Sequence, residues 1–193
     1  MRMIKKMGVI LLLALILIPA GVMAAGSQDN GENYGNAGVS AASIQVTPLT
    51  DEEIQWLTYM REEEKLARDV YLSLYDEWNM RIFSNIAASE QKHTDAVKTL
   101  LVRYGIPDPA AGKAQGEFTN PDLQDLYDQL IQQGSVSNVE ALKVGVFIEE
   151  TDIDDLNAAI ATTTHNDIKT VYSNLLKGSL NHLDAFESQL AKF

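Results

Sequence analysis

Four segments of this chain carry apolar residues at intervals of three and four, and this spacing constrains the fold more than any other feature. Residues spaced in this way lie on one face of an α-helix. In chain order the four faces are Leu57, Met60, Glu64, Ala67, Tyr71, Leu74 and Trp78; Ile82, Ile86, Glu90, His93, Val97, Leu100 and Tyr104; Leu142, Gly145, Glu149, Ile153, Leu156 and Ile160; and Ile168, Val171, Leu175, Ser179, His182, Phe186 and Leu190. No alternating β pattern of useful length appears in the sequence. We therefore predict an all-α protein.

The first two helical segments are predicted to form a hairpin. Thr50 and Glu53 have the spacing of a capping box, which starts the first helix. Asn79 is the expected break between the two helices, and Gly105 followed by Pro107 ends the second.

A long connection separates this hairpin from the rest of the chain. Residues 105–137 are rich in turn formers, apart from a short helix that Asn120 and Pro121 start. Ser137 and Glu140 form a second expected capping box, and the stretch ATTTHND separates the last two long helices. Two hairpins joined by one long crossover are the ferritin-like form of the four-helix bundle. We assign this bundle domain to residues 48–193.

Each helical face is interrupted near its middle by a side chain that can bind metal: Glu64, Glu90 with His93, Glu149, and His182. Burying an unpaired carboxylate is costly, and converging carboxylates repel one another. A bound cation removes both costs, so the pattern predicts a metal site. The alternative is a buried polar network, with Glu64 solvated like the rest of REEEK and His182 a hydrogen-bonded core residue.

The remaining polar and aromatic residues have simpler expected roles. We expect the REEEK run at residues 61–65 to be a solvated face except for Glu64, and His165 to be exposed. The aromatic residues expected in the core are Trp56, Tyr71, Trp78 and Phe186.

The first 24 residues have the layout of a secretory signal peptide. A basic start, MRMIKK, precedes an apolar run from Val9 to Ile18, and small residues follow up to Ala24. The apolar run is shorter than an ordinary membrane span. We expect cleavage after Ala24 and export to the periplasm, the cell surface or the medium, free of the membrane. An uncleaved anchor is the alternative.

Composition narrows the chemistry of the exported chain. Residues 25–47 are mostly Gly, Ala, Ser and Asn and predict a flexible leader. The chain has no cysteine, which excludes disulfides, iron–sulfur clusters, thiolate zinc sites and covalently attached haem. Without residues 1–24 it has 12 basic and 27 acidic residues, a formal net charge of −15. Such a charge argues against nucleic acid as a partner.

Four motifs of the helical region resemble a known family. EEKLARDVY, SEQKH, GVFIEETDIDDL and NHLDAF are similar to the ferritin-like family of bacteria and archaea catalogued as domain of unknown function 2202. More distantly, ExxARxxY from Glu64 resembles the first helix of rubrerythrins, and HLDAFESQL resembles the last helix of bacterioferritins. IEETDIDDLNAAI resembles their third helix, which favours Glu149 over Glu150 as the ligand. The resemblance implies a ferritin-like fold from about Leu49 onward.

The resemblance also implies a role for each candidate ligand. Glu64 and Glu149 would be terminal carboxylates, and Glu90 would bridge two metal ions. His93 would bind one ion and His182 the other.

One position departs from the two-motif pattern of such centres. The last helix has Ser179, preceded by Gly178, where the pattern requires a second bridging glutamate. Asp152, three residues after Glu149, is an additional candidate that could replace it in part. The expected outcomes are a lopsided metal pair, a single ion or none.

Two functions are compatible with these residues. The first is an exported redox metalloprotein holding one or two iron or manganese ions, which oxidises Fe(II) or reduces oxygen or peroxide. Its electrons would come from a donor protein or from Fe(II) itself. The second is a non-enzymatic helical module that binds a protein or a metal ion without turnover. Oligomeric state is not determined by the sequence, and a dimer is one option.

Overall fold

The protein is helical throughout the part that the structure, a computed structural model, describes, which is residues 48–193. Five helices form: α1, Asp51–Trp78; α2, Arg81–Tyr104; α3, Pro121–Gly134; α4, Asn138–Thr162; and α5, Asn166–Leu190. No strand occurs in this range, so the all-α prediction is confirmed. The predicted signal peptide and the leader at residues 25–47 lie outside the described residues. No described helix has both the length and the apolar composition that a membrane span requires.

The four long helices contact one another in a ring. α1 packs against α2, α2 against α5, α5 against α4, and α4 against α1, while α3 lies against α1 and α4. Short non-helical segments connect α1 to α2 and α4 to α5. Asn79 at the first break has a left-handed backbone with φ 49°, which asparagine tolerates better than most residues. The predicted short helix in the long connection is α3.

Two apolar clusters fill the interior, one on each side of a polar layer. The first contains Leu66, Ala67, Val70, Tyr71, Leu74, Phe83, Ile86, Leu142, Ile148 and Phe186 among others. The second contains Leu57, Met60, Val97, Leu100, Leu101, Leu156, Ile168, Tyr172 and Leu175 among others. Tyr71 and Phe186 are buried as predicted, whereas Trp56 and Trp78 are only partly buried and pack at the edges of the clusters.

Both predicted capping residues act as caps, but only one forms a full capping box. The Thr50 hydroxyl accepts from the Glu53 amide, and the Glu53 carboxylate accepts from the Thr50 amide. Ser137 accepts from the Glu140 amide in the same way. The Glu140 carboxylate, however, pairs with Lys143 at 2.7 Å instead of returning to the Ser137 amide. The second box is therefore half formed.

The prediction that REEEK is a solvated face is wrong. All five residues, 61–65, are at most 7% exposed. The connection between α2 and α3 contacts Arg61, Glu62 and Lys65. The Arg61 guanidinium holds Asp108 at 3.0 and 3.1 Å. The Glu62 carboxylate accepts from the Asn120 amide at the start of α3.

Lys65 is the most completely buried cation of this run. Its ammonium donates to the carbonyls of Ala114 and Glu117 at 2.8 and 3.0 Å, pairs with Asp69 and lies 4.4 Å from the Phe118 ring centroid. The polar face of α1 therefore binds the long connection rather than water.

The prediction that His165 is exposed is also wrong. Its side chain is 10% exposed, and Nδ1 lies 2.7 Å from a carboxylate oxygen of Glu53. The same oxygen accepts from the Thr163 hydroxyl and the Thr164 amide. Glu53 therefore caps α1 and also holds the break between α4 and α5.

Replacing Glu53 should cost about 2–4 kcal/mol of stability, because buried donors lose a charged acceptor. Burial alone would raise the pKa of Glu53, but hydrogen bonds from Thr50, Thr163 and its other donors hold that pKa well below the ordinary 4.5. The ionised group therefore stabilises the fold above pH 4.5, and this contribution is lost as pH falls towards the native pKa. Denaturant unfolding of Glu53→Ala should show a deficit at neutral pH that shrinks in acid. The exposed neighbour, in Glu52→Ala, is the control, and an equal deficit there would contradict the assignment.

Candidate metal centre

The polar layer between the two apolar clusters contains every candidate ligand. α1 contributes Glu64, α2 contributes Glu90 and His93, α4 contributes Glu149 and Asp152, and α5 contributes Ser179 and His182. All seven residues are buried, with none more than 9% exposed. On each helix the polar position lies between residues of the first cluster and residues of the second. The helical spacing therefore places these groups inside the fold.

The five predicted ligands meet as two overlapping triads. Glu64, Glu90 and His93 form one, and Glu90, Glu149 and His182 form the other. Within each triad the atoms able to bind a metal lie within 4.8 Å of one another. These groups could hold a metal ion, and Glu90 belongs to both.

Glu90 contacts the two imidazoles through different oxygens. His93 Nδ1 lies 2.8 Å from Glu90 Oε2, and His182 Nδ1 lies 2.7 Å from Glu90 Oε1. His93 Nδ1 is also 3.2 Å from Glu64 Oε2, and His182 Nδ1 is 3.5 Å from Glu149 Oε2. The two rings stack with centroids 5.5 Å apart. Both histidines therefore present Nδ1 to a pair of carboxylates.

One of these close contacts is not a hydrogen bond. Glu90 Oε1 and His182 Nδ1 are 2.7 Å apart, yet neither has an aligned hydrogen-bond partner. Glu64 Oε1 and Asp152 Oδ1 are likewise buried without a partner. Buried polar atoms are rarely left unpaired. Lone pairs that converge without pairing fit a cation bound among them, so the residues present suit a metal ion.

Protons take the place of cations in the metal-free centre. Burial alone would raise the pKa of Glu90, but the contacts with His182 and His93 lower it to about 2. Burial alone would lower the pKa values of the two histidines, but their carboxylate contacts raise that of His93 to about 11 and that of His182 to about 9. At neutral pH a metal ion must therefore displace protons from both imidazoles.

The other carboxyl groups are held towards their protonated forms. Burial, with repulsion from Asp152, raises the pKa of Glu64 well above its ordinary value. Burial raises the pKa of Glu149 to about 7. Burial and the Glu149 charge raise the pKa of Asp152 well above its ordinary range. The layer thus contains more carboxyl groups than its two histidines can neutralise.

Sequence reasoning missed one partner of the centre. The Tyr71 hydroxyl donates to Glu149 Oε1 at 2.7 Å in the buried interior. Tyr71 was predicted only as a core residue, although it lies on the same face of α1 as Glu64. A hydroxyl group on the inward face of α1, two turns from Glu64, was the sequence signal that could have indicated this role. Glu150 is exposed, in keeping with the choice of Glu149 as the inward residue.

Asp152 and Ser179 form a pair of their own. Ser179 is fully buried, and its hydroxyl donates to Asp152 Oδ2 and to the carbonyl of Leu175. The position expected to supply a second bridging carboxylate therefore holds a neutral group, and the nearest carboxylate comes from α4. Asp152 Oδ1 remains free of hydrogen bonds.

Gly178 accommodates His93. A Cβ at position 178 would lie 2.5 Å from His93 Nε2 and 2.6 Å from Cε1. Such separations are well inside van der Waals contact. The imidazole of α2 therefore fills the space beside this glycine.

Comparison with known proteins agrees with the motifs quoted above. A family model described as "Uncharacterized protein domain (DUF2202)" matches residues 53–192. The chain belongs to this family. The predicted family membership is confirmed, and the family itself is uncharacterised.

Relatives of known sequence or structure share this helical region. Uncharacterized protein MJ0754 of Methanocaldococcus jannaschii is 52% identical over 152 residues, 79% of this chain and 82% of that protein. A crystal structure of hypothetical protein MJ0754 from Methanococcus jannaschii aligns with a TM-score of 0.75 at 52% identity, covering 78% of this chain and 86% of that one. A crystal structure of a DUF305 fragment from Deinococcus radiodurans aligns with a TM-score of 0.55 at 13% identity, covering 76% and 100%. The last similarity concerns the fold alone.

Gly178→Ala should destabilise the protein by about 1–3 kcal/mol, because the added methyl group presses on the His93 ring. In a His93→Ala background the ring is gone, and the same substitution should stabilise by about 0.5–1 kcal/mol through helix propensity. Thermal or urea unfolding of the four proteins in this cycle measures the coupling. An equal effect in both backgrounds would show that residue 178 does not contact His93.

Proposed function

We propose that this chain is an exported, ferritin-like four-helix bundle that binds one or two iron or manganese ions and serves in iron oxidation or in the reduction of oxygen or peroxide. One observation carries the proposal: two buried carboxylate–histidine triads share Glu90 at the centre of the helices. Oxygen and imidazole ligands without thiolate suit iron and manganese.

The helix packing supports the bundle. Two hairpins, α1 with α2 and α4 with α5, contact each other through α1 with α4 and through α2 with α5. The long connection that carries α3 joins the hairpins. This connectivity is that of ferritin-like bundles, whose metal sites lie between facing helices.

The contacts of the candidate ligands suggest which metal ion each would bind. Glu90 would serve both ions, His93 and Glu64 one of them, and His182 and Glu149 the other. Bound iron would supply one-electron chemistry towards oxygen or peroxide. The apolar clusters on both sides exclude water from this layer, and Tyr71 orients Glu149 through its hydrogen bond.

Asp152 is the natural additional ligand. Its free Oδ1 is buried, and its other oxygen is fixed by Ser179. A carboxylate from α4 would thereby supply the charge that Ser179 does not. Because it approaches from a different helix, the two metal positions would be unequal.

The alternative is a helical binding module without turnover. The hydrogen bond between Ser179 and Asp152 and the ion pairs of both histidines with Glu90 favour it, since they satisfy part of the layer without metal. Export is proposed from the first 24 residues alone, and an electron-donor partner from the absence of cysteine-based redox centres in the sequence.

Glu90→Ala should weaken metal binding more than substitution of any other candidate ligand, because Glu90 belongs to both triads. We expect a loss of at least about a hundredfold in affinity, since even residues that only orient ligands contribute about 10–100-fold. Titration with Mn(II), and with Fe(II) under anaerobic conditions, followed by elemental analysis, measures the stoichiometry. Affinity of the wild type should rise with pH through neutrality, because the metal ion must displace protons from the imidazoles.

Glu150→Ala is the matched control, because Glu150 is exposed beside the buried Glu149. It should bind as many ions as the wild type. If the folded wild type retains no iron or manganese, the redox proposal is wrong and the binding module replaces it.

Ser179→Glu should lower the stability of the metal-free protein by about 1–3 kcal/mol, because a longer side chain enters a filled space. Its charge would also lie beside Asp152. With Fe(II) or Mn(II) bound, that charge becomes favourable, so the melting temperature should rise more on metal addition than in the wild type. Ser179→Gln has a similar size without the charge and should show the loss but not the gain. Equal metal responses in both variants would place residue 179 outside the metal-binding layer.

A further inference from the structure

A second group of carboxylates lies beside the two triads and belongs to neither. Glu63 on α1 and Asp155 on α4 have their carboxyl groups within hydrogen-bonding range of each other. The Tyr59 hydroxyl, one turn before Glu63, lies 3.5 Å from Glu63 Oε1 and 3.3 Å from Asp155 Oδ2. Both distances are longer than an ordinary O–H···O hydrogen bond, so the single phenolic proton satisfies the two carboxyl groups only weakly.

This carboxylate pair has no cationic partner in the described part of the chain. No lysine, arginine or histidine among residues 48–193 forms an ion pair with Glu63 or Asp155. Other carboxylates buried on α1 do have such partners or backbone donors: Asp69 pairs with Lys65, and Glu62 binds backbone amides. Two like charges in contact require a cation or a shared proton between them.

Glu63 has an unused ligand atom in this position. The residue is 6% exposed, and its Oε2 is buried without a hydrogen-bond partner. The charges of Asp155, Asp152 and Glu64 all act on its carboxyl group. An unpaired buried oxygen in contact with a second carboxylate is a donor set for a hard divalent cation.

The pair also connects the surface to the triads. Tyr59 and Asp155 are partly exposed, so a cation can reach the pair from solvent. Glu63 directly precedes Glu64 on α1, and Asp155 follows Asp152 by three residues on α4. Each carboxyl group of the pair therefore has a candidate ligand of the buried centre close to it along its own helix.

We propose that Glu63 and Asp155, with the Tyr59 hydroxyl, form a separate entry site for a hydrated divalent cation such as Mn(II) or Fe(II), which passes from there to Glu64 and Asp152. This proposal rests on the proposed function for its destination, but binding at the entry site is measurable without it. The cation makes no covalent change at this site. It exchanges water ligands for carboxylate oxygens and then moves inward.

The test uses Mn(II), followed by its electron paramagnetic resonance signal, and the double variant Glu63→Gln/Asp155→Asn. Both substitutions keep side-chain shape and remove charge. With the triads intact, Mn(II) should bind to them about tenfold more slowly in the double variant than in the wild type, because the negative charge that concentrates the cation is gone. The final occupancy of the triads should be unchanged. The control Glu77→Gln/Glu150→Gln also removes two negative charges, from exposed positions on the same two helices, and should load at the wild-type rate.

A second background separates this site from the triads. In Glu90→Ala protein the triads are disabled, and one weakly bound Mn(II) should remain per chain; adding Glu63→Gln/Asp155→Asn should remove it. If Glu90→Ala protein binds no Mn(II), or if the double variant neither slows loading nor lowers this count, the pair shares a proton and the entry site does not exist. Asp155→Asn alone, at a partly exposed position, gives the same readout if the double variant fails to fold.

The failure of the two proposals can be told apart. Unchanged Mn(II) binding after Glu90→Ala would overturn the proposed function. The entry site would still be supported if Glu63→Gln/Asp155→Asn removed the Mn(II) bound there. Normal triad binding with no effect of the double variant would overturn the entry site alone.

Discussion

The structure depends on the burial of several acidic groups around two imidazoles in one layer. Carboxylates removed from water must be protonated, paired or bound to a cation. Here Glu90 is paired with His93 and His182, while burial pushes Glu64 and Asp152 towards protonation. The apolar clusters on each side lower the local dielectric constant, which strengthens both the repulsion between carboxylates and their pairing with imidazoles. An apolar residue at each of these positions would stabilise more, so the cost indicates a function.

The requirement that a buried charge be compensated also explains the contacts on the outer face of α1. The connection between α2 and α3 covers Arg61, Glu62 and Lys65, and a different partner compensates each of these charges. Arg61 forms an ion pair with Asp108, Lys65 donates hydrogen bonds to backbone carbonyls, and Glu62 accepts hydrogen bonds from backbone amides. Glu63 lacks such compensation and meets Asp155 instead. One helix therefore fixes the long connection through one set of charges and approaches the centre through another.

Small residues and hydroxyl groups set the finer geometry of the centre. Gly178 lets the His93 ring approach α5, and Gly145 leaves the space that the Phe186 ring occupies. Ser179 fixes one oxygen of Asp152, and Tyr71 fixes one oxygen of Glu149. Each contact joins two different helices, so the positions of His93, Asp152 and Glu149 depend on the packing of neighbouring helices as well as on their own.

The sequence by itself determined the five helices, their breaks and the inward positions of Glu64, Glu90, Glu149 and His182. These features follow from helical spacing and capping, which act within a few residues. Only the tertiary structure decided that REEEK is covered, that His165 binds Glu53, and that Glu63 meets Asp155. Those contacts join residues that are about fifty to more than a hundred positions apart in the chain; Glu53 and His165 are an example. Helix periodicity relates only residues of the same helix, so it carries no information about them. Burial of a charged run depends on what the rest of the chain places over it, and here that is the long connection.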